Sequence, residues 1–202
     1  MGHMDAAGWD ERYRASELVW SAGPNQFVEA ELADLPPGRA LDLAAGEGRN
    51  AIWLARRGWQ VTAVDFSQGG LDKGRILADG LDIDWVCADV TTWTAAPSYD
   101  VCLLAYLQLV ADERRAAVRN GYSALRTGGT FLLVAHDSTN LTEGTGGPQE
   151  PSVLMTAQDV LADLAGETYE VQRAGRAERL VPQPDGSTAT AYDAVVRLVR
   201  RS

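Results

Sequence analysis

The sequence predicts an α/β protein with a doubly wound, mostly parallel seven-stranded sheet that ends in an antiparallel hairpin. Three observations support this prediction. Apolar strand-like segments alternate with helical segments between residues 39 and 137, as in parallel sheets that are buried on both faces. The last two strand-like segments leave no room for a crossover helix, so they should pair antiparallel. The length of 202 residues suits one well-buried domain spanning 1–202.

Each element is predicted from a local pattern. Apolar or alternating runs predict strands over residues 39–44, 60–67, 83–89, 99–107, 128–137, 168–179 and 190–201. Helical periodicity predicts helices over residues 24–35, 49–58, 70–80, 111–125 and 156–165. Pro24 is expected at the first position of the first helix, and Thr156 with Asp159 is expected to form a capping box. The Gly/Pro-rich connection 138–152 is expected to be a binding loop, because long connections in compact domains tend to be functional.

Composition and charge exclude several classes of protein. A formal net charge of −10 repels a phosphate backbone, so no nucleic-acid partner is expected. No apolar run approaches the ~20 residues that span a bilayer, so no membrane partner is expected. The absence of a secretory signal and the presence of only two cysteines predict a cytoplasmic protein. Residues 1–4, MGHM, resemble a cloning scar, so His3 is set aside and no metal site is expected.

The segment RALDLAAGEGRNA, residues 39–51, raises the question of which ligand it holds. Its Gly-x-Gly-x-x-Ala pattern at 46–51 matches the dinucleotide fingerprint of a dehydrogenase. However, Asp42 and Glu47 flank the turn. Two carboxylates beside a pyrophosphate would cost electrostatic energy, whereas the same carboxylates favour an ammonium or sulfonium group. The turn is therefore predicted to hold a cationic nucleoside.

Two further acids follow the second and third strands. Asp65 ends the second strand, where its carboxylate can accept hydrogen bonds from both hydroxyls of a ribose. Asp89 ends the third strand, where it could reach an adenine amino group. The alternatives are a simple turn residue for Asp65 and an Asx-type turn for Asp89.

Over almost its whole length the chain resembles the class I S-adenosylmethionine-dependent methyltransferases, a Rossmann-like family. The first motif of the family, acid-x-Gly-x-Gly-x-Gly, reads here Asp42-x-Ala44-x-Gly46-x-Gly48, with alanine in the first glycine position. Further resemblance lies in VDFS (64–67), CADV (87–90), YDVCLLAYLQL (99–109), LRTGGTFLL (125–133) and the terminal hairpin.

The resemblance implies S-adenosyl-L-methionine as the cofactor and S-adenosyl-L-homocysteine as its product. The cofactor-binding residues that it implies are Asp42, Ala44, Gly46, Gly48, Asn50, Asp65, Phe66, Ala88, Asp89, Val90 and Ala105. The strand order of the family also places Cys87 and Cys102 too far apart to bond. Both cysteines are expected to be small buried hydrophobic residues.

The acceptor side is expected at the carboxyl ends of the fourth and fifth strands. Tyr106 and His136 are the predicted catalytic residues. The alternative for His136 is a partly buried histidine whose hydrogen bonds are satisfied within the protein. The predicted substrate contacts are Tyr13, Trp20, Asn140 and Gln149. The alternative for Asn140 and Gln149 is that they only shape the glycine-rich loop. The aromatic residues within segment 5–35 resemble the N-terminal lid of methyltransferases that act on thiols, thiopurines, halides and tellurite. The alternative is an amphipathic helix that closes the edge of the sheet.

Together these features predict a methyltransferase for a small acceptor, a soft nucleophile such as a thiol or oxyanion, in which positioning does most of the work. Two alternatives stay open. One is an NAD-dependent oxidoreductase, suggested by the glycine pattern, and the other is a noncatalytic cofactor-binding module. The sequence is compatible with a monomer or a homodimer.

Overall fold

The computed structural model describes Gly8, Asp10, Glu11 and residues 23–202. Within residues 23–202, seven strands and five α-helices alternate along most of the chain. The strands are β1 (Arg39–Leu43), β2 (Gln60–Asp65), β3 (Ile83–Cys87), β4 (Tyr99–Ala105), β5 (Leu125–His136), β6 (Tyr169–Pro182) and β7 (Thr188–Arg200). The helices are α1 (Gln26–Leu32), α2 (Arg49–Arg56), α3 (Gln68–Ala78), α4 (Ala111–Ser123) and α5 (Ala157–Asp163). Two short 3-10 helices span Ser138–Leu141 and Pro151–Val153.

All seven strands belong to one sheet in the order β3-β2-β1-β4-β5-β7-β6. Strands β1 to β5 run parallel, whereas β7 pairs antiparallel with both β5 and β6. The predicted doubly wound fold with a closing hairpin is therefore confirmed. Strand order reverses between β1 and β4, and the loops that leave these two strands diverge to open a crevice, where folds of this kind bind ligands.

Helices cover both faces of the sheet, which explains why the central strands read as continuous apolar runs. On one face α1 buries Phe27, Val28 and Leu32 in a cluster that includes Leu132 of β5. On the other face α4 buries Tyr122 in a separate cluster. These two layers hold the carboxyl ends of the central strands in fixed positions.

The helix starts confirm one prediction and correct another. The Thr156–Asp159 capping box is present, with each side chain bonded to the other residue's backbone N–H. Helix α1, however, begins at Gln26 rather than at Pro24. The reason is that Asn25 is the N-cap, and its side-chain oxygen accepts hydrogen bonds from the N–H groups of Phe27 and Val28. Pro24 therefore precedes the cap.

The closing hairpin is longer than predicted. Its register runs from Tyr169 opposite Arg200 to Pro182 opposite Thr188. The five-residue connection 183–187 includes Gly186 at φ 84°, a left-handed conformation that suits glycine. The extra length carries the hairpin up to the carboxyl edge of the parallel strands.

The two cysteines lie on β3 and β4, with β2 and β1 between them, and both are free thiols. Cys102 is buried as expected, but Cys87 is exposed, so the prediction of two buried cysteines is wrong for Cys87. It ends an edge strand, where neighbouring strands cannot cover it from both sides. None of the helices in the described residues combines the length and apolar character that crossing a membrane requires.

Candidate functional site

The turn between β1 and α2 is built from residues in the left-handed region. Ala44, Gly46 and Gly48 have φ values of 58°, 57° and 75°. The N–H of Gly48 donates to the carbonyl of Ala45 at 2.8 Å, and α2 starts immediately afterwards. This conformation folds the backbone into a tight turn that ends at the helix N-terminus.

Gly48 is also required by packing. A Cβ at this position would lie 2.3 Å from Cη2 of Trp85, and a Cβ at Gly74 of α3 would lie 2.6 Å from the same atom. The Trp85 indole therefore fills the space that two missing side chains leave between α2, α3 and β3. The sequence predicted Gly48 as a cofactor-binding residue of the turn, but it did not predict the contact with Trp85.

Asp65 connects the turns that follow β1 and β2. Its Oδ2 accepts a hydrogen bond from the N–H of Gly46, and its Oδ1 accepts one from the N–H of Ser67, both at 2.8 Å. Burial raises the pKa of Asp65, and these hydrogen bonds oppose the rise. The carboxylate thus holds the glycine turn in place at the end of β2.

Asp10, near the N-terminus of the chain, contacts the turn that follows Asp65. Its Oδ1 accepts hydrogen bonds from the Ser67 hydroxyl and, at 2.9 Å, from the N–H of Gly69 in the first turn of α3. A carboxylate is favoured at a helix N-terminus. The negative charge of Asp10 contributes to the raised pKa of Asp65.

The two acids that flank the glycine turn are both buried, but their surroundings differ. Glu47 forms an ion pair with Lys73 at 3.2 Å, so its charge is compensated within the protein. Asp42 is 1% exposed, and burial raises its pKa to about 7. Its Oδ2 is buried and has no hydrogen-bond partner among the described residues. Asp42 therefore retains an unused acceptor next to the turn, whereas Glu47 does not add net charge.

An open cleft lies at the carboxyl ends of β1 to β4, where folds of this kind bind ligands. It is lined by Ala44, Asp65, Phe66, Asp89, Val90, Thr91, Leu107, Leu109 and Glu113. Asp89 is exposed there, and its Oδ1 accepts hydrogen bonds from the N–H and hydroxyl of Thr91 at 2.8 and 2.7 Å. The Asx-type turn that competed with ligand binding is thus present, and the same carboxylate borders the cleft.

A second group of polar side chains lies at the ends of β4 and β5. We call Tyr106, His136, Arg179 and Asp193 the Tyr106 cluster. Oδ2 of Asp193 accepts hydrogen bonds from the Tyr106 hydroxyl at 3.2 Å and from Arg179 Nε at 2.7 Å. The Tyr106 and His136 rings are 4.6 Å apart between centroids. Asp193 is completely buried, so Arg179 supplies the positive charge that its burial requires.

Burial also shifts the ionisation of both predicted catalytic residues. Desolvation and the charge of Asp193 raise the pKa of Tyr106 to about 12. Desolvation lowers the pKa of His136, although Asp193 opposes this effect. The guanidinium groups of Arg49 and Arg179 each lie 5.9 Å from the Tyr106 ring centroid. A neutral imidazole and two cations therefore surround a neutral phenol.

Loop 138–152 packs against the hairpin and covers His136. Asn140 exchanges hydrogen bonds with the backbone N–H and carbonyl of Tyr192 on β7. A Cβ at Gly147 would lie 2.9 Å from Cγ of His136, so the loop backbone lies directly against the imidazole. Gln149 is exposed and donates only to the Gly147 carbonyl, at 3.4 Å. Asn140 thus supports the loop, and Gln149 lies on its outer surface.

The structure brings most of the predicted site residues to one edge of the sheet. Ala88 donates its N–H to the carbonyl of Asp65 at 3.0 Å, and Ala105 ends β4 just before Tyr106. Asn50 is buried in α2, where its Oδ1 accepts the N–H of Asn25 at 2.9 Å. Tyr13 and Trp20 lie outside the described residues.

The sequence interpretation missed Arg179, Asp193 and the cleft residues Leu107, Leu109 and Glu113. Asp193 did leave a signal, because it is a charged residue inside the apolar run AYDAVV of β7. Arg179 left none, since several arginines follow one another along β6 and a local pattern does not select among them.

Unused hydrogen-bonding capacity is concentrated at this edge of the sheet. Within the described part of the chain, the buried side-chain atoms without a hydrogen-bond partner are Asp42 Oδ2, Gln108 Nε2 and Oε1, His136 Nδ1, Asp193 Oδ1 and Arg197 Nε. All but Arg197 belong to strands or loops that surround the two polar regions. Buried polar atoms are costly when left unpaired, and two of this set, His136 Nδ1 and Asp193 Oδ1, lie 3.5 Å from each other. No cluster of metal-binding side chains occurs among the described residues.

Comparison with known proteins is consistent with this geometry. Residues 40–129 match a family described as a methyltransferase domain. The tRNA 5-carboxymethoxyuridine methyltransferase of Escherichia coli strain K12 is 30% identical over 125 residues, which cover 57% of this chain and 48% of that protein. The chain spans about half the length of the curated relatives it matches.

Solved structures share the fold over nearly the entire chain. One comes from work on the conversion of a disulfide bond into a thioacetal group during echinomycin biosynthesis. It has a TM-score of 0.73 and 21% identity, with 97% of this chain and 92% of that chain covered. TehB from Haemophilus influenzae has a TM-score of 0.69 and 18% identity, with 98% of this chain and 67% of that chain covered.

Proposed function

We propose that this chain is a class I S-adenosylmethionine-dependent methyltransferase that methylates a small-molecule acceptor. The match of residues 40–129 to a methyltransferase-domain family supports the proposal. The observation that carries the proposal is the cleft at the carboxyl ends of β1 to β4, bordered by Ala44, Asp65 and Asp89. A parallel sheet that offers carboxylates beside a glycine turn suits a nucleoside with a positively charged substituent.

The residues around the cleft fit S-adenosyl-L-methionine. The unused Oδ2 of Asp42 offers a buried acceptor to a cationic group near the turn. We assign the ribose to Asp65 and the adenine to Asp89, with Phe66, Ala88 and Val90 beside the base. Gly46, Gly48, Asn50 and Ala105 would complete the methionine side.

When bound, this cofactor would supply an activated methyl group on its sulfonium, with S-adenosyl-L-homocysteine as the product. The chain's own task is to orient the acceptor and to exclude water. In our proposal Tyr106 and His136 contact the acceptor, and Asn140 with Gly147 holds the loop against them. Arg49 and Arg179 would favour negative charge at the acceptor, which supports a thiol or oxyanion as its class.

We further propose that residues 1–202 act as one domain and that segment 5–35, with Tyr13 and Trp20, covers the acceptor. The contacts of Asp10 with Ser67 and Gly69 support this assignment, because they anchor the front of the chain two residues from Asp65. The net charge of −10 favours a small molecule over a nucleic acid.

The first experiment tests the ligand by calorimetry. The expected result is that the protein binds S-adenosyl-L-methionine and S-adenosyl-L-homocysteine but not NADH. An Asp89→Ala variant should bind both sulfur compounds more weakly, whereas the exposed Asp72→Ala on α3 should bind them as the wild type does. Tight uptake of NADH without uptake of the sulfur compounds would instead favour an oxidoreductase.

The second experiment tests turnover. Release of S-adenosyl-L-homocysteine is measured across a panel of thiols, oxyanions, phenols and amines. We expect activity with members of the thiol or oxyanion group. Binding without turnover across the whole panel would favour the noncatalytic module.

A further inference from the structure

We propose that Asp193 is a positioning residue that fixes the tautomer of His136, so that Nε2 of the imidazole accepts the proton of a protic acceptor, a thiol or a hydroxyl compound. The inference rests on the proposed function, because it assigns the chemistry of the acceptor side of the same site. The inference adds a general base to the proposed reaction. An acceptor that is already ionised would need only to be positioned, whereas a protic acceptor needs this base.

The first observation is the register of β5 against β7. His136 and Asp193 are direct cross-strand partners, so the backbone pairing itself sets their approach. Nδ1 of His136 lies 3.5 Å from Oδ1 of Asp193. Both atoms are buried, and neither has a hydrogen-bond partner within the part of the chain that the structure describes.

The second observation decides which nitrogen carries the proton. If Nδ1 were unprotonated, its lone pair would face a carboxylate oxygen and the two acceptors would repel each other. If Nδ1 carries the hydrogen, the two atoms are donor and acceptor, and their 3.5 Å separation has to shorten by a few tenths of an ångström for a charge-assisted hydrogen bond. The neutral ring therefore keeps its lone pair on Nε2. The His136 side chain is 18% exposed although Nδ1 is buried, so the open part of the ring lies away from Asp193.

The surrounding charges support this arrangement. Arg179 on β6 binds Oδ2 of Asp193 through Nε, and Tyr106 after β4 donates to the same oxygen. Oδ1 is thus left to face the imidazole, while Oδ2 forms the ion pair with Arg179. On the other side the ring meets the backbone of Gly147, which brings no charge, and Arg49 of α2 lies beyond the Tyr106 ring.

Other acids near His136 are engaged elsewhere. Asp137, the next residue in the chain, accepts hydrogen bonds from the N–H and hydroxyl of Thr139. Glu143 of the loop pairs with Arg176. Asp193 is therefore the carboxylate that the geometry connects to the imidazole.

The proposed step is a proton transfer. The acceptor X–H gives its proton to Nε2, and the X–H bonding pair stays on X, where it forms the new bond to the methyl carbon. The imidazolium that results donates through Nδ1 to Asp193, and it later returns its proton from Nε2 to solvent. No oxidant, reductant or further reactant is needed.

The main test observes the tautomer directly by nitrogen NMR of protein labelled with ¹⁵N-histidine. The chain has two histidines, and a His136→Gln variant assigns their signals. We expect a pyrrole-type signal for Nδ1 of His136 and a pyridine-type signal for Nε2. In Asp193→Asn, the carboxamide can donate to Nδ1, so the population of the opposite tautomer should rise.

Asp137→Asn is the matched control, because it removes an equal charge one residue from His136 without facing the ring. It should leave the nitrogen signals of His136 unchanged. Wild-type protein with the hydrogen on Nε2, or an Asp193→Asn variant with wild-type signals, would overturn the proposal. If Asp193→Asn does not fold, the wild-type spectrum alone decides.

The NMR result does not depend on the cofactor or on turnover, so it is distinguishable from failure of the proposed function. A kinetic arm uses the protic acceptors that the turnover panel identifies. General-base catalysis contributes about 10²- to 10⁴-fold, so Asp193→Asn should lower kcat by about 10²-fold or more and change the pH profile. A replacement that changed only KM would contradict the assignment.

Discussion

Ala44 carries an unfavourable backbone conformation in the turn that borders the cleft. Among the described residues, the non-glycine residues with positive φ are Ala44, Asp79 and Tyr106. Asp79 caps the end of α3, where this conformation is common, whereas Ala44 and Tyr106 lie at the candidate site. Strain of this kind costs on the order of 1 kcal/mol or more and tends to collect at functional positions. The sequence showed that alanine replaces the first glycine of the motif, but not that the position is left-handed.

Ala44→Gly should therefore stabilise the protein. The change relieves a left-handed alanine, and we expect the free energy of unfolding to rise by about 1 kcal/mol. Denaturant unfolding measures this value. Ala116→Gly in α4 is the control with the opposite sign, because glycine in a regular helix costs about 1 kcal/mol. Destabilisation by Ala44→Gly would show that the strain assigned to this turn is absent.

Asp42 should make stability depend on pH. Its pKa is raised to about 7 by burial, so the folded protein binds the proton more tightly than the unfolded chain does. The stabilising contribution is complete below the unfolded pKa near 4 and is lost as pH rises towards 7, at up to about 1.4 kcal/mol per pH unit. Asp42→Asn cannot ionise.

The unfolding free energy of Asp42→Asn relative to wild type should therefore increase between pH 5 and pH 8. An exposed change, Asp72→Asn, should give a constant difference over the same range. Parallel curves for wild type and Asp42→Asn would contradict the raised pKa.

At the scale of elements, Trp85 connects β3 to α2 and α3. Its ring occupies the space beside Gly48 and Gly74, and the two glycines differ in one respect. Gly48 has a left-handed backbone at φ 75°, whereas Gly74 lies inside α3. Alanine at Gly74 is excluded chiefly by the ring, with the Glu47 carbonyl oxygen at 3.1 Å as a lesser contact. Alanine at Gly48 is excluded by the ring and by the left-handed backbone.

A double-mutant cycle separates these causes. Gly48→Ala and Gly74→Ala should each destabilise the protein by about 2 kcal/mol or more, as overpacking does. Adding Trp85→Leu, which removes the obstructing ring, should recover most of the loss at Gly74 and only part of the loss at Gly48. Equal recovery at both positions, measured by denaturant unfolding, would argue against the backbone contribution at Gly48.

The strand and helix patterns predicted nearly every element of residues 39–200, because alternation and helical periodicity are local properties. The errors come from competition at element ends. Helix α1 starts after Asn25 and not at Pro24, because the Asn25 side chain accepts hydrogen bonds from two backbone N–H groups. The hairpin strands extended beyond their apolar cores because pairing between backbones does not depend on hydrophobic side chains.

At the scale of the whole molecule, the front of the chain reaches the candidate site through Asp10. Asp10→Ala removes the acceptor for Ser67 and for the N–H of Gly69. Loss of such a helix-start contact costs about 1 kcal/mol, which corresponds to a fall in Tm of about 2–4 °C for a chain of this size. The exposed Glu11→Ala is the control and should leave Tm unchanged. Equal shifts for both variants would mean that the Asp10 contact contributes nothing.

Long-range pairing decides what the sequence could predict of the site. The residues of the glycine turn and the acids after β2 and β3 follow directly from motif positions, so they were found. Asp193 meets His136 only because β7 pairs with β5, and Arg179 meets Asp193 only because β6 pairs with β7. The pairing register of strands that are distant in sequence cannot be predicted from a local segment. The contacts of Arg179 and Asp193 were therefore found only in the folded structure.

The closing hairpin has a consequence for how this protein could diversify. The side chains around the cleft come from the loops after β1 to β4 and the start of α4, whereas Arg179 and Asp193 come from the last two strands. Sequence changes confined to the final third of the chain would therefore alter Arg179 and Asp193 while the residues that line the cleft stay unchanged.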